Sequence, residues 1–586
     1  MTVGDHAMRD ALSTLIGQKL PAPVEGAIER LLLLDRFNQL YEEVQRTADG
    51  SSFVHQFLTT LNVRTEVDPK DLAAVPKTGP VVAVANHPFG LMEGAVLAAL
   101  LPTVRPDTKI MANHLLASMP ETRKYCIFVD PFGGKTSIRS NQRGLKDSIA
   151  WLQRGGLLAA FPAGEVAHLN LKERAVVDPE WSQSIARIIR RTGATVLPIY
   201  FLGANSVLFQ LLGFLHTRVR TALLAHEFFN KSNRTIELRI GSPISPSKLQ
   251  TYQDDVALVR YLRHRTYLLQ NRVTPKTARR ADDTPSAAVL SELISGEIAK
   301  LGPERTLVQN DEFSVLLAKA AEIPNGLHEI GRLREVAFRR VGEGTGKAVD
   351  LDVFDDYYWH LFLWHRQARE IAGAYRLGPT DQIVARLGAK GLYTHSLFRW
   401  KRPFLDRIHP ALELGRSFVR VEHQKSYAPL LLLWRGIAQF LVRNPKYKVL
   451  FGPVSISNEY SSTSRQLIVQ FLREYRRSPE LAPLVQARNP FRQRPSKLTE
   501  DLVDATVPDI EELSELIADI ETDRKGVPAL LKQYLKLGGQ LLAFHVDRHF
   551  SSTLDGLIAV DLRKTETRVL ERYMGKEGAA TFLQAN

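Results

Sequence analysis

Four apolar runs of strand length, each followed by a helical segment, constrain the fold of the N-terminal half most strongly. The runs are PVVAVAN, KYCIFVD, GLLAAFP and ATVLPIYF, and they precede LMEGAVLAALL, LKDSIAWLQR, WSQSIARIIRR and SVLFQLLGFL. Strands that alternate with helices in this way form parallel pairs joined by helical crossovers. We therefore predict an α/β domain with a largely parallel sheet over residues 71–270, preceded by a helical segment in residues 1–70.

Apolar periodicity disappears in NRVTPKTARRADDTPSAA, residues 271–288. We place the domain boundary there and assign residues 271–310 to a linker. Beyond it, a helical segment, GLHEIGRLREVAFRRV, is followed by strand-like runs such as HLFLWHR, SFVRV and GLIAVDL. Residues 311–586 are therefore predicted to form a second α/β or α+β domain, in agreement with a chain of 586 residues.

The net charge of +14 is concentrated in the N-terminal half, where residues 1–280 hold 35 basic and 24 acidic residues. Eight of the basic residues lie in residues 241–280: Lys248, Arg260, Arg263, Arg265, Arg272, Lys276, Arg279 and Arg280. This group is either a solvated helix face followed by a linker, or a surface for anionic lipid or an acidic carrier protein. No nucleic-acid-binding motif accompanies the charge, so nucleic acid is not an expected partner.

A single cysteine, Cys126, excludes an intramolecular disulfide and a zinc site built from thiolates. The N-terminus lacks the basic and apolar regions of a signal peptide, and the longest uncharged stretch is interrupted by proline, glycine and asparagine. We expect an intracellular protein. The segment SVLFQLLGFLH, residues 206–216, fits either a membrane interface or a buried core helix.

The stretch VVAVANHPFGLMEG brings His87 to the end of an apolar strand and Glu93 into the next helix. A histidine paired with a carboxylate can take a proton from an alcohol, because the carboxylate fixes the imidazole tautomer and stabilises its charged form. Three further stretches, CIFVDPFGG, AAFPAGEVAH and VLPIYFLGANS, follow in order.

These four blocks resemble those of the glycerolipid (PlsC-type) acyltransferases, in particular a branch labelled hemolysin-like. The resemblance implies that His87 is the general base and Glu93 its partner. It also implies an acceptor site formed by Asn86, Gly90, Asp130, Phe161, Pro162, Gly164 and Glu165. Pro131 and Val166 stand where the family has arginines associated with the acceptor phosphate, so we expect an acceptor other than lysophosphatidate.

Acidic residues cluster between Asp350 and Asp356, just before a predicted strand. Close carboxylates can hold and deprotonate an ammonium group, or they can form a solvated acidic loop. Together with Arg334, Phe338, Arg376, Glu413 and Arg416, they resemble the acyl-homoserine-lactone synthases, which have a GNAT-like fold, and the ornithine N-acyltransferases. The resemblance covers residues 320–565. It implies that Glu413, Asp352 and Asp355 hold and deprotonate an amine. Arg376 and Arg416 then orient those carboxylates, bind an acceptor carboxylate, or form structural salt bridges, and Arg334 and Phe338 join the substrate site.

A pyrophosphate-binding pattern, Arg-x-x-Gly-x-Gly, occurs only at residues 339–344, before the first predicted strand of this domain. We therefore expect acyl-carrier protein as the donor, with acyl-CoA as the alternative. Neither thioester aminolysis nor alcoholysis requires a metal or redox cofactor.

Both resemblances in one chain match the bifunctional ornithine lipid synthases. They imply that the C-terminal domain N-acylates ornithine with a 3-hydroxyacyl group and that the N-terminal domain O-acylates the resulting lyso-lipid. The expected location is the cytoplasmic face of the inner membrane, as a peripheral protein on an anionic surface. Two alternatives stay open: a lysophospholipid acyltransferase fused to an N-acyltransferase for another amino acid such as glycine, and an inactive membrane-docked binding or regulatory protein.

Overall fold

The computed structural model describes residues 34–46, 52–129, 135–170, 175–212, 223–224, 226–272, 286–426, 428–492 and 509–585. The chain divides into two compact units, Met1–Arg272 and Val273–Asn586. The predicted site residue Asp130 lies outside the described residues, as do Pro131, residues 213–216 of the apolar segment and the basic residues Lys276, Arg279 and Arg280. Among the described residues, no helix is both long enough and apolar enough to cross a membrane.

The first unit is built on a seven-stranded sheet in the order β1-β9-β8-β2-β5-β3-β4, beside a separate pair β6-β7. Strands β2, β3, β4, β5 and β8 pair in parallel, and β9 runs antiparallel to β8. This arrangement confirms the predicted α/β fold. The strands are β1 (Arg64–Glu66), β2 (Val81–Ala85), β3 (Thr108–Asn113), β4 (Cys126–Val129), β5 (Leu157–Ala160), β6 (His168–Asn170), β7 (Ala175–Val177), β8 (Thr195–Phe201) and β9 (Thr235–Ile240).

Helices cover both faces of this sheet. They are α1 (Leu34–Arg46), α2 (Phe53–Thr60), α3 (Pro69–Ala73), α4 (Leu91–Leu100), α5 (Lys135–Gln153), α6 (Ser184–Thr192), α7 (Val207–Leu212), α8 (Pro246–Leu249) and α9 (Asp255–Leu268). Alternate residues of the fully buried β2 enter different cores: Val81 packs in the core that contains Met92, and Val82 in the core that contains Ile185. The two-residue period of a strand thus explains why PVVAVAN is apolar throughout.

The second unit contains an eight-stranded sheet in the order β10-β11-β12-β13-β15-β16-β19-β18, beside a separate pair β14-β17. Its pairs are antiparallel except for β15 with β16. The strands are β10 (Thr306–Gln309), β11 (Phe313–Lys319), β12 (Trp359–His365), β13 (Glu370–Pro379), β14 (Phe398–Trp400), β15 (Ala411–Val419), β16 (Val449–Ile456), β17 (Val485–Ala487), β18 (Gln540–Asp547) and β19 (Thr553–Asp561).

The helices of this unit pack on the sheet and against one another. They are α10 (Ser291–Ala299), α11 (Pro324–Arg340), α12 (Thr380–Leu387), α13 (Thr394–Leu397), α14 (Arg402–Ile408), α15 (Ala428–Arg443), α16 (Ser462–Tyr475), α17 (Ile510–Ile520), α18 (Ala529–Lys536), α19 (Thr567–Met574) and α20 (Lys576–Gln584).

Strands β15 and β16 separate along their length. Their parallel pairing runs only from Ala411 with Val449 to Glu413 with Phe451. Beyond it, β15 has a bulge, because Arg416 and Ser417 lie opposite the single residue Tyr375 of β13, and Arg416 has a φ of 48°. A bulge bends its strand and interrupts the ladder. The two strands therefore diverge and leave an opening in the middle of the sheet.

Much of the segment predicted as a linker belongs to the second unit. Helix α10 and strand β10 lie within residues 271–310. Ile294 of α10 is buried in the core with Ile330, and the Glu297 carboxylate accepts hydrogen bonds from the backbone N–H groups of Asn325, at 2.8 Å, and Gly326, at 2.9 Å. The prediction failed because a nine-residue helix carries too few apolar positions to show a period.

Candidate functional site

His87 and Glu93 meet where β2 ends and α4 begins. Glu93 Oε1 lies 3.3 Å from His87 Nδ1 and also accepts hydrogen bonds from the backbone N–H groups of Phe89, at 2.5 Å, and Gly90, at 3.1 Å. Glu93 is fully buried, whereas the His87 side chain is 16% exposed. With Nδ1 turned to the carboxylate, Nε2 across the ring is the nitrogen left for a substrate hydroxyl.

A tight turn before α4 brings the Glu93 carboxylate back to His87. Gly90 has a φ of 105°, and a Cβ atom there would lie 2.9 Å from Leu224 Cδ2. Glycine is therefore required at this position. Asn86 holds the strand end, because its side-chain amide donates to Phe201 O at 3.0 Å and accepts from Phe201 N–H at 2.7 Å. Both residues position His87 in this structure.

The surroundings of His87 favour its charged form. Burial lowers the pKa of His87, but Glu93 and Asp178 raise it, and the net shift is upward from 6.5. Asp178 was missed by the sequence analysis. It accepts hydrogen bonds from the backbone N–H of His87, at 3.0 Å, and from Trp181 Nε1, at 2.9 Å. It lies 91 residues from His87 in a loop without a motif, so the sequence carries no signal for this contact.

The FPAGE turn contributes one side chain directly to the site. The Phe161 ring stacks on the His87 imidazole with a centroid distance of 4.6 Å. Pro162 O accepts a hydrogen bond from Ser182 N–H at 2.8 Å, and Gly164 turns the chain at a φ of 68°. Glu165 is exposed on the outside of the turn. The structure therefore brings Phe161 to the histidine, whereas the Glu165 side chain is exposed.

Two of the basic residues near α9 bind groups in the interior of the first unit. Arg265 is fully buried and donates to Tyr261 Oη at 2.9 Å. Arg272 forms a 2.6 Å ion pair with the buried Asp71. The prediction of a solvated or lipid-binding face is therefore wrong for these two residues, because each of them bonds to a buried carboxyl or hydroxyl group.

The apolar segment that begins at residue 206 divides between the core and the surface. In α7, Val207 and Leu208 are 74% and 54% exposed, whereas Phe209 is buried. The described part of this segment therefore contains both buried and exposed apolar side chains, so neither a wholly buried helix nor a wholly exposed one describes it.

Three arginines and three aspartates form a buried network in the second unit. Arg334 donates to Asp355 Oδ1 at 2.8 Å, and Arg376 donates to Asp352 Oδ1 at 2.5 Å and lies 3.3 Å from Asp355 Oδ1. Burial raises the pKa of Asp355, but the two guanidinium groups hold it well below its ordinary value. Asp352 and Asp355 thus face arginines rather than an open amine site.

Arg416 completes this network from β15. Its Nε lies 3.5 Å from Asp350 Oδ2 and its Nη2 lies 3.7 Å from Asp352 Oδ2. The guanidinium also lies over the rings of Tyr393, at 5.2 Å, and Phe550, at 4.9 Å. For Arg376, the short contact with Asp352 favours orientation of the carboxylates. Arg416 makes longer contacts with the aspartates and also borders a cavity, so it can bind an acceptor carboxylate as well.

Glu413 is engaged by backbone groups. It is buried on β15 and accepts hydrogen bonds from Thr394 N–H, at 2.6 Å, from Tyr393 N–H, at 3.1 Å, and from the Tyr358 hydroxyl. Burial raises the pKa of Glu413, and these hydrogen bonds oppose the rise. Glu413 therefore joins β15 to the start of α13, and an amine would have to displace these donors to reach it.

A cavity opens where β15 and β16 diverge. It is bordered by Phe338 of α11, Arg416 and Ser417 of β15, Ser455 of β16 and Asp555 of β19. Ser455 and Asp555 were missed by the sequence analysis. They are directly opposite each other on neighbouring strands, a register that sequence alone does not reveal. The available signal was Asp555 in the otherwise apolar run LDGLIAV.

Within the turn at residues 339–344, backbone amides are already bonded inside the chain: Val341 N–H and Glu343 N–H donate to Phe338 O at 3.1 and 2.9 Å, and Gly342 N–H donates to Arg339 O at 3.1 Å. The residues that follow are also engaged. Glu335 accepts hydrogen bonds from Thr345 N–H, at 3.1 Å, and Gly346 N–H, at 2.9 Å, and from Arg339 Nε at 2.6 Å. These amides are thus bonded to an internal carboxylate. The turn that follows β15, RVEHQKSYA, contains no glycine.

Comparison with known proteins identifies the two units separately. Residues 38–275 match the family described as acyltransferase, and residues 333–434 match the acetyltransferase (GNAT) domain family. The chain is 36% identical over 199 residues to glycine N(alpha)-acyltransferase of Bacteroides thetaiotaomicron, which is 32% of this chain and 58% of that protein. The chain therefore spans less than two thirds of that relative.

Two further similarities fall in the same classes of protein. The chain is 24% identical over 234 residues to lyso-glycine lipid O-acyltransferase of the same organism, covering 38% of this chain and 82% of the relative. The crystal structure of the 1-acyl-sn-glycerophosphate acyltransferase PlsC from Thermotoga maritima aligns with a TM-score of 0.25 and 16% identity, over 42% of this chain and 93% of that one. The two family matches give the chain an N-terminal acyltransferase domain and a C-terminal GNAT domain.

Proposed function

We propose that this chain is a bifunctional acyltransferase that makes an amino-acid lipid in two steps. The C-terminal domain N-acylates the α-amine of an amino acid with a 3-hydroxyacyl group, and the N-terminal domain O-acylates the hydroxyl of that product. The pairing of an acyltransferase domain with a GNAT domain in one chain carries this proposal. Similarity to relatives named for an N-acyl and an O-acyl transfer supports it.

In the N-terminal domain, His87 acts as the general base. Nε2 takes the hydroxyl proton while the oxygen attacks the thioester carbonyl carbon, and the C–S bond breaks as the ester forms. The imidazolium then returns its proton to the leaving thiolate. Glu93, 3.3 Å from Nδ1, stabilises the positive charge that the imidazole carries between these transfers.

In the C-terminal domain, the amine attacks a thioester held in the opening between β15 and β16. We propose acyl-carrier protein as the donor, with acyl-CoA as the alternative. The internal hydrogen bonds of the Val341, Gly342 and Glu343 amides support this choice, because they leave fewer free N–H groups for a pyrophosphate in the turn at residues 339–344.

We propose ornithine as the amino acid, and glycine is the second candidate because the relative of 36% identity is a glycine N(alpha)-acyltransferase. We further propose that the chain works as a peripheral protein on the anionic cytoplasmic face of the inner membrane, where the single-chain intermediate would partition. The exposed side chains of Val207 and Leu208 support a contact with lipid.

Expression of the whole chain in a host without aminolipids tests this function. Cells are fed isotope-labelled ornithine or glycine, and lipid extracts are analysed by mass spectrometry. We expect a phosphorus-free lipid with two acyl chains that carries the ornithine label. His87→Ala should accumulate the mono-acylated product, whereas His55→Ala, at an exposed histidine of the same unit, should behave as wild type.

Each result bears on a different part of the proposal. If the lipid carries label from glycine and none from ornithine, the acceptor is glycine and not ornithine. An unchanged diacylated lipid in His87→Ala would overturn the role of His87. Absence of any labelled lipid would favour a non-catalytic binding protein.

A further inference from the structure

Three carboxylates near the cavity stand outside the arginine–aspartate network. The formal charges of that network balance, because it contains three arginines and three aspartates: Arg334, Arg376, Arg416, Asp350, Asp352 and Asp355. Glu343, Asp547 and Asp555 lie beside it and are all buried. Within the described parts of the chain, none of these three has a basic side-chain nitrogen within 4.0 Å. Among the described residues of the second unit, these three buried carboxyl groups thus have no cationic side chain as a close partner.

Of these three, Asp555 is the carboxylate that borders the cavity. Glu343 accepts a hydrogen bond from Ser455 Oγ at 3.0 Å, and Asp547 accepts one from His549 N–H at 2.9 Å. For the Asp555 side chain, the described residues provide neither a hydrogen-bond donor nor an ion pair, although the residue is only 6% exposed. Burying an unpaired carboxylate is costly, and a bound cation would offset that cost.

The walls around Asp555 fit a small amino acid that arrives beside a thioester. Arg416 borders the same cavity, and its guanidinium suits the acceptor carboxylate. Tyr393 and Phe550 support that guanidinium from their ring faces. A carboxylate and a guanidinium in one cavity match the two charged groups of an α-amino acid, whatever its side chain.

We propose that Asp555 binds the reacting ammonium group of the acceptor and accepts its proton, an inference that rests on the proposed N-acylation. The ammonium transfers one proton to the Asp555 carboxylate and becomes a free amine. Its lone pair forms the N–C bond to the thioester carbonyl, the C–S bond breaks, and the thiolate takes up the second proton that the nitrogen releases. No oxidant, metal or further reactant is needed.

The neighbours of Asp555 suit this role. Burial raises the pKa of Asp555 well above its ordinary value; Asp547 and Glu343 raise it further, and Arg416 opposes them. A carboxylate with a raised pKa is a stronger proton acceptor than an ordinary aspartate. The charged or titratable side chains that face it are Glu343, Tyr393, Arg416, His545 and Asp547.

Asp555→Asn in the full-length chain tests the proposal. The purified protein is given 3-hydroxyacyl carrier protein or 3-hydroxyacyl-CoA with ornithine or glycine, and the N-acyl product is measured across pH 6 to 10. We expect kcat/KM for the amino acid to fall at least ~100-fold at pH 7. The residual rate should climb with pH until the free amine predominates, whereas wild type should level off earlier. Asp555→Glu should regain part of the rate.

Asp561→Asn is the matched control. Asp561 lies at the far end of the same strand and pairs with Arg563 on the surface, so N-acylation should stay at the wild-type rate. Folding is monitored by the melting temperature, which Asp555→Asn should not lower, because an unpaired buried charge is removed.

The outcomes separate the two hypotheses. If wild type N-acylates an amino acid and Asp555→Asn keeps its rate within about threefold at every pH, the role of Asp555 is refuted while the proposed function stands. If wild type N-acylates no amino acid from either donor, both fail. A slow Asp555→Asn with the wild-type pH profile would also refute proton transfer to Asp555.

Discussion

Glu93→Gln separates the charge of the His87 partner from its shape. Glutamine is nearly isosteric, and its carbonyl oxygen can still accept from the N–H groups of Phe89 and Gly90. What it removes is the negative charge 3.3 Å from His87 Nδ1. At an effective dielectric constant of about 20, this charge stabilises an imidazolium by about 5 kcal/mol. We therefore expect kcat for O-acylation to fall by roughly 10³-fold or more.

The pH dependence gives a second, independent readout. Burial lowers the pKa of His87 and Glu93 raises it, so loss of the Glu93 charge should bring this pKa down. O-acylation requires neutral imidazole and declines as pH falls through the pKa. The acid limb of the Glu93→Gln profile should therefore lie at lower pH than in wild type, although the maximal rate is smaller.

The assay uses the purified full-length chain, an acyl thioester and a chemically prepared N-(3-hydroxyacyl) amino acid, with the diacylated product measured by mass spectrometry. Glu66→Gln, at an exposed carboxylate of β1, is the matched control and should retain the wild-type rate. N-acylation by the other domain should be unchanged in both variants. A Glu93→Gln protein with wild-type kcat, or with its acid limb at the same or a higher pH, would refute the pairing of His87 with Glu93.

Two further predictions concern the stability of the second unit. Arg376→Met removes the buried guanidinium that lies 2.5 Å from Asp352 and 3.3 Å from Asp355 and should lower the free energy of unfolding by about 3–5 kcal/mol in urea at pH 7; a loss below about 1 kcal/mol would contradict the buried network. Glu343 has its pKa raised by burial from 4.5 to about 7, so its stabilising contribution is present below pH 4.5 and is lost as pH rises through 7. Glu343→Gln should therefore raise the free energy of unfolding by about 3 kcal/mol at pH 8 and leave it unchanged at pH 4, and an equal effect at both pH values would exclude this cause.

The first unit shows which parts of a site local sequence predicts. His87 and Glu93 are joined by a single turn, so a strand end followed by a helix start is enough to place them together. The same argument does not reach Asp178, which approaches the His87 backbone from a distant loop. Nor does it reach Arg265 and Arg272, whose burial depends on the packing of α9 and the position of Asp71. Short-range geometry follows from motif spacing, whereas long-range pairing follows only from the assembled sheet.

In the second unit, the resemblance to known acyltransferases predicted which charged residues are important. The structure assigns several of them a different role. Asp352 and Asp355 pair with arginines, so their burial is compensated and they serve to hold β13, β15 and the preceding loop together. Asp555 has the opposite character, because it adds a buried charge that no cation of the described chain pairs. A carboxylate that only maintained the fold would be better replaced by an apolar residue. Its position at the opening between β15 and β16 is therefore best explained by a cation that enters with the substrate, and this explanation predicts that the active site is less stable than its inactive variant.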